Sequence, residues 1–504
     1  MLEDLNQLWG EWGGPLFEQT KLVLIFELVY LLVLIAVCLR IIYDTRSVSK
    51  TLAYLLFAIF VPVVGIVFYF SFGINYRKRK IYNKKLVIDE GIKEQFQNNI
   101  KIVNEQLRQS TNSVIRQNRD LVRLLSNKNV GNALVLPDNL VKVLINGEAV
   151  FPLLIEELQK AKSHIHMEYY IYDNDVIGNQ IKDILIAKAK EGIEVRFIYD
   201  DFGSKNIRRN IARELRREGV QAYPFNEIKL VALANRLNYR NHRKIVVIDG
   251  VTSFIGGINI ADKYANTENT KLYWRDTHLM IKGLATQSIQ QIFLSDWNFC
   301  GNQDLSINQK YFPEIETEKY NGTADVQVVS SGPDSDLPNI LYSVIQSIHL
   351  AQSEVLLTTP YYIPDDSLQE SLIIAALSGI KVKLLVPRKG DSYIVNLASQ
   401  AYFEDLLKAG VEIYMYEKGF IHAKTFVTDR KLASVGTANL DLRSFDLNFE
   451  IAALIYDKEI AGELADAFDK DLKYSTKLSY QDWVKRSTYR KMSERLVRLI
   501  SPFM

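Results

Sequence analysis

The chain has 504 residues and only two cysteines, Cys38 and Cys300. One sits in an apolar run and the other lies far from it. Neither a disulfide framework nor a thiolate metal site can be built from them. The H-E-x-x-H spacing of zinc enzymes is missing. No glycine-rich phosphate loop is present to supply nucleotide energy. No long stripe of alternating basic and aromatic residues offers itself to a single nucleic-acid strand. Charge is nearly balanced, with 61 Lys and Arg against 59 Asp and Glu. Local clusters therefore say more than the total. The amino terminus lacks the basic start of a signal peptide. It carries Glu3, Asp4, Glu11 and Glu18 before the first base, Lys21.

What is present begins with two apolar runs. The first covers 22–43 and the second 52–72. Each is near the ~20 residues that a helix needs to cross a bilayer. Glu27 lies close to the start of the first run, where its carboxylate can snorkel to the interface. Arg77, Lys78, Arg79 and Lys80 follow the second run, then Lys84 and Lys85. Such a cluster favours the cytoplasmic side and suits anionic head groups. A two-helix transmembrane hairpin over 1–80 is expected, with both the amino terminus and the rest of the chain in the cytoplasm. The bases Arg46 and Lys50 in the loop argue the other way. Residues 81–130 are polar with apolar positions at helical spacing, and predict an amphipathic helical linker.

Beyond 130 the sequence repeats itself. His242-Arg243-Lys244 leads to Asp249, and His422-Ala423-Lys424 leads to Asp429. Both copies read H-x-K-x-x-x-x-D. Gly256 and Asn259 follow the first copy at the same offsets as Gly436 and Asn439 follow the second. Upstream, Ala161-Lys162-Ser163 echoes Ala351-Gln352-Ser353, and each leads toward a Tyr-Tyr pair (169–170 and 361–362). Helical pattern at 179–191 precedes strand pattern at 194–199; the order recurs at 369–377 and 381–386. This alternation predicts two similar α/β domains, 131–320 and 321–504.

The spacing has a chemical reason. Residues i and i+2 of a strand share one face. The imidazole and ammonium of each copy therefore point together. Two copies face to face supply two imidazoles, two ammonium groups and two amides, which suits a phosphodiester. A neutral imidazole can attack phosphorus while the other, protonated, serves the departing alkoxide. Lys244, Lys424, Asn259 and Asn439 can hold the non-bridging oxygens. Asp276 and Glu450 are candidates to orient the imidazoles. Asp249 and Asp429 either join the catalytic set or pin the turn that follows their strands. This chemistry needs no metal. His164, His166, His278 and His349 read as packed residues.

These motifs resemble the phospholipase D superfamily, whose members carry H-x-K-x-x-x-x-D twice. The segments 238–244, 256–264, 274–276, 419–424, 436–444 and 448–450 are similar to bacterial cardiolipin synthases in particular. That resemblance implies two α/β/α domains related by a pseudo-twofold axis, with one active site between them. It implies an integral plasma-membrane enzyme that uses phosphatidylglycerol and membrane lipids, with no cofactor and no nucleic acid. Two phosphatidylglycerols would give cardiolipin and glycerol, with His242 taking the phosphatidyl group and His422 protonating the leaving glycerol. A lipid hydrolase, a superfamily nuclease and an inactive membrane scaffold are the alternatives.

The carboxy-terminal stretch 483–504, with bases between apolar residues, fits either an anionic bilayer or a helix packed on the second domain.

Overall fold

The computed structural model describes residues 2–45, 48–70, 112–225, 239–267, 271–300 and 305–499. The basic cluster at 77–80 and most of the predicted linker lie outside these residues. The chain forms two compact units, Met1–Tyr76 and Arg77–Met504.

In the first unit, helix α1 covers Leu2–Asp44, and its stretch Val23–Asp44 is long and apolar enough to cross a membrane. The second apolar run does not extend as one spanning helix. Pro62 has no amide hydrogen to donate, and Val61 before it leaves the helical region at φ −127° and ψ 70°. The run divides into α2 (Val48–Phe60) and α3 (Pro62–Phe68). Helix α3 folds back along α2. The Phe57 and Phe68 rings meet at 5.2 Å, and those of Tyr54 and Tyr69 at 5.5 Å. Gly65 permits the approach, since a Cβ there would stand 2.2 Å from the Phe57 carbonyl oxygen. The fold-back brings the Tyr69 hydroxyl to 3.4 Å from Asp44, at the end of α1.

In the second unit, 112–130 forms two short helices, Ser113–Gln117 and Arg119–Leu125, and a 3-10 turn, Lys128–Val130. The strands of the large sheet are β1 Val135–Ile145, β2 His164–Tyr169, β3 Glu194–Asp200, β4 Gln221–Phe225, β5 Lys244–Ile248, β6 Thr252–Gly256, β7 Thr277–Lys282 and β8 Ala324–Ser331. They continue with β9 Glu354–Thr358, β10 Lys381–Pro387, β11 Glu412–Tyr416, β12 Thr425–Thr428, β13 Leu432–Gly436, β14 Glu450–Tyr456 and β15 Ser475–Lys477.

The sheet order is β15-β11-β10-β9-β12-β13-β14-β8-β1-β7-β6-β5-β2-β3-β4. Outward from the central β8–β1 pair, the strands of the two halves match place for place, and only the edge strand β15 has no counterpart. Within each half three strands run parallel, β2-β3-β4 and β9-β10-β11. Helices Val176–Lys190 and Asp366–Leu377 make the crossovers, each started by an aspartate side chain that accepts a backbone N–H (Asp175 from Gly178, Asp365 from Ser367). The motif strands β5 and β12 pair antiparallel to β2 and β9. Every residue of β5 is buried, as its β-branched run requires. One apolar cluster is shared across the centre and includes Val143, Ile245, Val326, Val427 and Ile451. Two further clusters fill the two halves. The halves therefore share a sheet and a core.

The structure shifts one detail of the repeat. His164 and Glu354 occupy matching positions, because both give their backbone N–H to the motif aspartate of their own half. That register sets Tyr172, not Tyr169 or Tyr170, opposite Tyr362. Both are fully buried, and they bridge to Ile260 and Leu440 respectively.

The terminal helix Thr488–Leu499 packs on the catalytic unit. Arg490 donates to Gln400 at 2.9 Å, and Arg498 lies over the Tyr402 ring. Tyr489, Met492, Leu496 and Leu499 stay exposed.

Candidate active site

His242 stands two residues before β5 and His422 three before β12. Short backbone bridges fix both across the two halves. The His242 N–H donates to the Phe449 carbonyl at 3.0 Å, and the His422 N–H to the Arg275 carbonyl at 2.7 Å. Phe420–Ile421 also pairs in parallel with Trp274–Arg275.

Each imidazole receives its carboxylate from the opposite half. His242 Nδ1 lies 3.0 and 3.1 Å from the two oxygens of Glu450. His422 Nδ1 lies 2.7 Å from Asp276 Oδ2. A carboxylate at Nδ1 assigns the proton to that nitrogen and leaves Nε2 with its lone pair. The carboxylates are themselves held. Thr437 Oγ1 donates to Glu450, and Asn448 donates to it at 3.2 Å. Asp276 Oδ1 accepts the Thr277 N–H at 2.8 Å. Lys244 Nζ donates to the His242 carbonyl at 2.6 Å, and Lys424 Nζ to the His422 carbonyl. Lys424 Nζ also lies 2.8 Å from His422 Nδ1.

Burial sets the electrostatics. It brings the Lys244 ammonium down to about 7 and that of Lys424 to about 8. Burial, reinforced by the Lys424 charge, lowers His422 to about 3. Burial also lowers His242, against the pull of Glu450. Burial pushes Glu450 and Asp276 up, but the neighbouring cations and imidazole bonds hold both below the usual carboxylate range. Burial thus favours the neutral form of both imidazoles.

The two asparagines are close by but are partly engaged. Asn259 Oδ1 accepts the Ile171 N–H at 3.0 Å. Asn439 Nδ2 donates to Asp441 at 3.1 Å, and its Oδ1 is buried without a partner. Asp249 and Asp429 are not brought to the imidazoles. They sit at the far ends of β5 and β12 with φ of 54° each. Asp249 accepts the N–H groups of Lys162, Ser163 and His164. Asp429 accepts those of Gln352, Ser353 and Glu354. Their inclusion in a catalytic set is corrected: the carboxylates pin the start of the neighbouring strand. Asp429→Ala should cost about 3 kcal/mol by removing four charge-assisted bonds, the Ser353 hydroxyl included, and leaving alanine at positive φ. Thermal melting in detergent checks this, and folded variant should keep most of its turnover.

Sequence reasoning missed the aromatic frame. Tyr170 meets the His242 ring edge-on at 4.9 Å, with Lys244 Nζ 5.4 Å from its centre. Trp274 and Phe420 stand 5.1 and 5.8 Å from the His422 ring. Trp274 was visible only as a neighbour of Asp276. His166 is a core residue, bonded to Gln290 and Arg196 and stacked on Phe293. His278 is fully buried, and neither ring nitrogen has a partner.

Comparison with known proteins agrees with this geometry. The family described as "Cardiolipin synthase, PLD-like domain" matches residues 154–297 and 344–472. The family described as "Phospholipase_D-nuclease N-terminal" matches residues 30–73. The chain is 40% identical to the major cardiolipin synthase of Bacillus subtilis, over 95% of this chain and 99% of that one. It is 39% identical to a cardiolipin synthase of Alkalihalophilus pseudofirmus, over 97% of this chain and 95% of that one. Among solved structures, phosphatidylserine synthase of Haemophilus influenzae superposes with a TM-score of 0.58 at 14% identity, over 78% of this chain and all of that one. That last likeness concerns the fold. The crossed imidazole–carboxylate pairs and the near full-length identity lead to one conclusion: the chain belongs to the cardiolipin synthase family with phospholipase D-like domains.

Proposed function

We propose that the protein is a cardiolipin synthase, a phosphatidyltransferase that joins two phosphatidylglycerols and releases glycerol. The observation that carries this reading is the pair of buried imidazoles, each with a carboxylate from the opposite half and a lysine beside it. The halves, 131–320 and 321–504, are pseudo-twofold copies that build one site.

His242 Nε2 attacks phosphorus and forms a phosphohistidine. His422 takes up a proton as the phosphodiester charge arrives beside the lysines, then delivers it to the departing glycerol oxygen. In the second half-reaction His422 removes a proton from a hydroxyl of the second lipid, which attacks the phosphohistidine. Lys244, Lys424 and the amides of Asn259 and Asn439 hold the non-bridging oxygens. Asp276 and Glu450 orient the rings. The step exchanges one diester for another and needs neither metal nor cofactor. Tyr170, Trp274 and Phe420 keep water away from the intermediate.

The membrane segment supplies the lipid context. Helix α1 crosses the bilayer, and α2–α3 re-enters from the side on which α1 ends, since Tyr69 returns to Asp44. The basic cluster that follows in the sequence supports a cytoplasmic position for the long carboxy-terminal portion. The exposed apolar stripe of the terminal helix, next to Lys485 and Arg495, adds a contact for anionic lipid.

Purified full-length enzyme in phosphatidylglycerol vesicles should release glycerol and cardiolipin in equal amounts. Phosphatidic acid as the main product would replace transfer by hydrolysis. The pH profile is a second check. Catalysis needs charged Lys244 and Lys424, whose charge is lost as pH rises through about 7 to 8. The quantity kcat/KM should therefore begin to fall above about pH 7, by about tenfold per unit up to pH 8 and by about a hundredfold per unit beyond it, with apparent constants that belong to the coupled pair. A flat profile from pH 7 to 10 would sink the lysine role.

A further inference from the structure

Beside the His422 half of the site lies an open cleft of about 580 Å³. Trp274 and Phe420 form one wall, the same two rings that frame the His422 imidazole. Leu272 lines the rim, where it is exposed. The polar lining is dominated by Arg388, Lys389 and Lys418.

The charges there are unevenly used. Arg388 pairs with Glu417 at 3.1 Å. Asp391 accepts the Tyr361 hydroxyl at 2.6 Å. Lys418 rests on the rings of Tyr273 and Tyr474, 4.1 and 4.8 Å from their centres. Among the described residues, neither Lys389 nor Lys418 makes a direct ion pair, although the Lys418 charge is felt at Asp471. Both are exposed. The indole N–H of Trp274 is buried and has no acceptor. A cation held over aromatic faces and a second cation thus border a cleft with an apolar wall. That lining fits a phosphodiester with a short polar head group and an acyl-bearing body.

The cleft also communicates with the reacting groups. The Asp391 charge is felt at Lys424. The Trp274 ring on the cleft wall lies 5.1 Å from the His422 ring.

We infer that this cleft is a second anion subsite, which holds the phosphodiester of the acceptor phosphatidylglycerol and presents its glycerol hydroxyl to His422. The inference rests on the transfer reading above. It gives the enzyme a physical means to prefer a lipid alcohol over water or free glycerol: the second phosphate is bound, and the smaller acceptors have none.

The test compares two acceptors through one phosphoenzyme. Labelled free glycerol exchanges into phosphatidylglycerol: a phosphorus–oxygen bond to glycerol breaks, the phosphohistidine forms, and a labelled glycerol hydroxyl then attacks it. This route needs no second phosphate. Full-length Lys389→Gln, Lys418→Gln and the double variant are assayed for both reactions in the same detergent micelles. Cardiolipin formation should fall about tenfold in the double variant, a moderate figure because exposed cations are screened. Glycerol exchange should fall less than about twofold on the same grounds. Lys418→Arg, which keeps the charge, should recover most of the loss. An equal fall in both reactions would assign the lysines to the donor site or to folding, and would overturn the inference. Unchanged cardiolipin formation would overturn it as well. Wild-type enzyme that exchanges glycerol but makes no cardiolipin would overturn the transfer reading itself.

Discussion

Replacing His242 or His422 by alanine should each lower cardiolipin formation by at least ~10⁴-fold, and the double variant should be no worse than either single one. The reason is that the two imidazoles act as one unit. Without His242 there is no nitrogen nucleophile at phosphorus. Without His422 glycerol must leave as an unprotonated alkoxide, with a pKa far above that of any group nearby. Each loss already removes the whole covalent route, so the second adds nothing. Both side chains are nearly buried and bond through their carboxylates, so melting curves should accompany the rates. An acid-stable linkage to serine and a hydroxylamine-cleaved linkage to aspartate can both be separated from acid-labile phosphohistidine by their chemistry. Quenching wild-type enzyme during turnover of phosphate-labelled phosphatidylglycerol should place the label on the peptide containing His242. Label on the His422 peptide would reverse the two roles and leave the pair mechanism intact. Label on neither, with activity retained in a histidine variant, would end it.

The repeat was legible because it is local. Within each motif the histidine, lysine, glycine and asparagine keep fixed offsets; the expected shared strand face is not how they meet, since both histidines and Lys424 lie just before their strands. The crossovers were legible for the same reason. The expected helix at 179–191 and strand at 194–199 are found at Val176–Lys190 and Glu194–Asp200. What the sequence concealed depends on contacts across long separations. Asp276 and Glu450 could be named as orienting groups, but not that each serves the histidine of the opposite half. The role of Asp249 rests on three N–H groups more than eighty positions away in the chain. Its partners had been noticed only as an unexplained echo, Ala161-Lys162-Ser163. The second apolar run was read by composition, and composition is blind to a turn. Pro62 was the available signal for the break, and Gly65 for the close return.

The crossed carboxylates carry the second large expectation. Asp276→Asn and Glu450→Gln should each lower turnover on the order of 10²- to 10⁴-fold with little change in lipid affinity, because an amide can donate to Nδ1 and move the ring proton to Nε2. The loss is one of ring state and not of contact. Three consequences separate it from simple damage. First, the negative charge of Asp276 supports the charged form of Lys424. Its removal should lower that ammonium further, so the alkaline limb of kcat/KM must shift toward lower pH in Asp276→Asn. A limb that stays in place would mean that Asp276 and Lys424 do not communicate. Second, Gly257→Ala should reproduce part of the defect without touching a charge, since its Cβ would stand 2.0 Å from Asp276 Oδ1 and must displace the carboxylate from His422. Third, the carboxylates lie on the opposite half from the ring that each one orients. A separately expressed half would therefore hold an imidazole without its carboxylate, and should show neither phosphohistidine nor cardiolipin even where it folds. The site is thus a property of the joined sheet. The central β1–β8 pair, which contains no motif residue, holds His242 and His422 in register with their carboxylate partners.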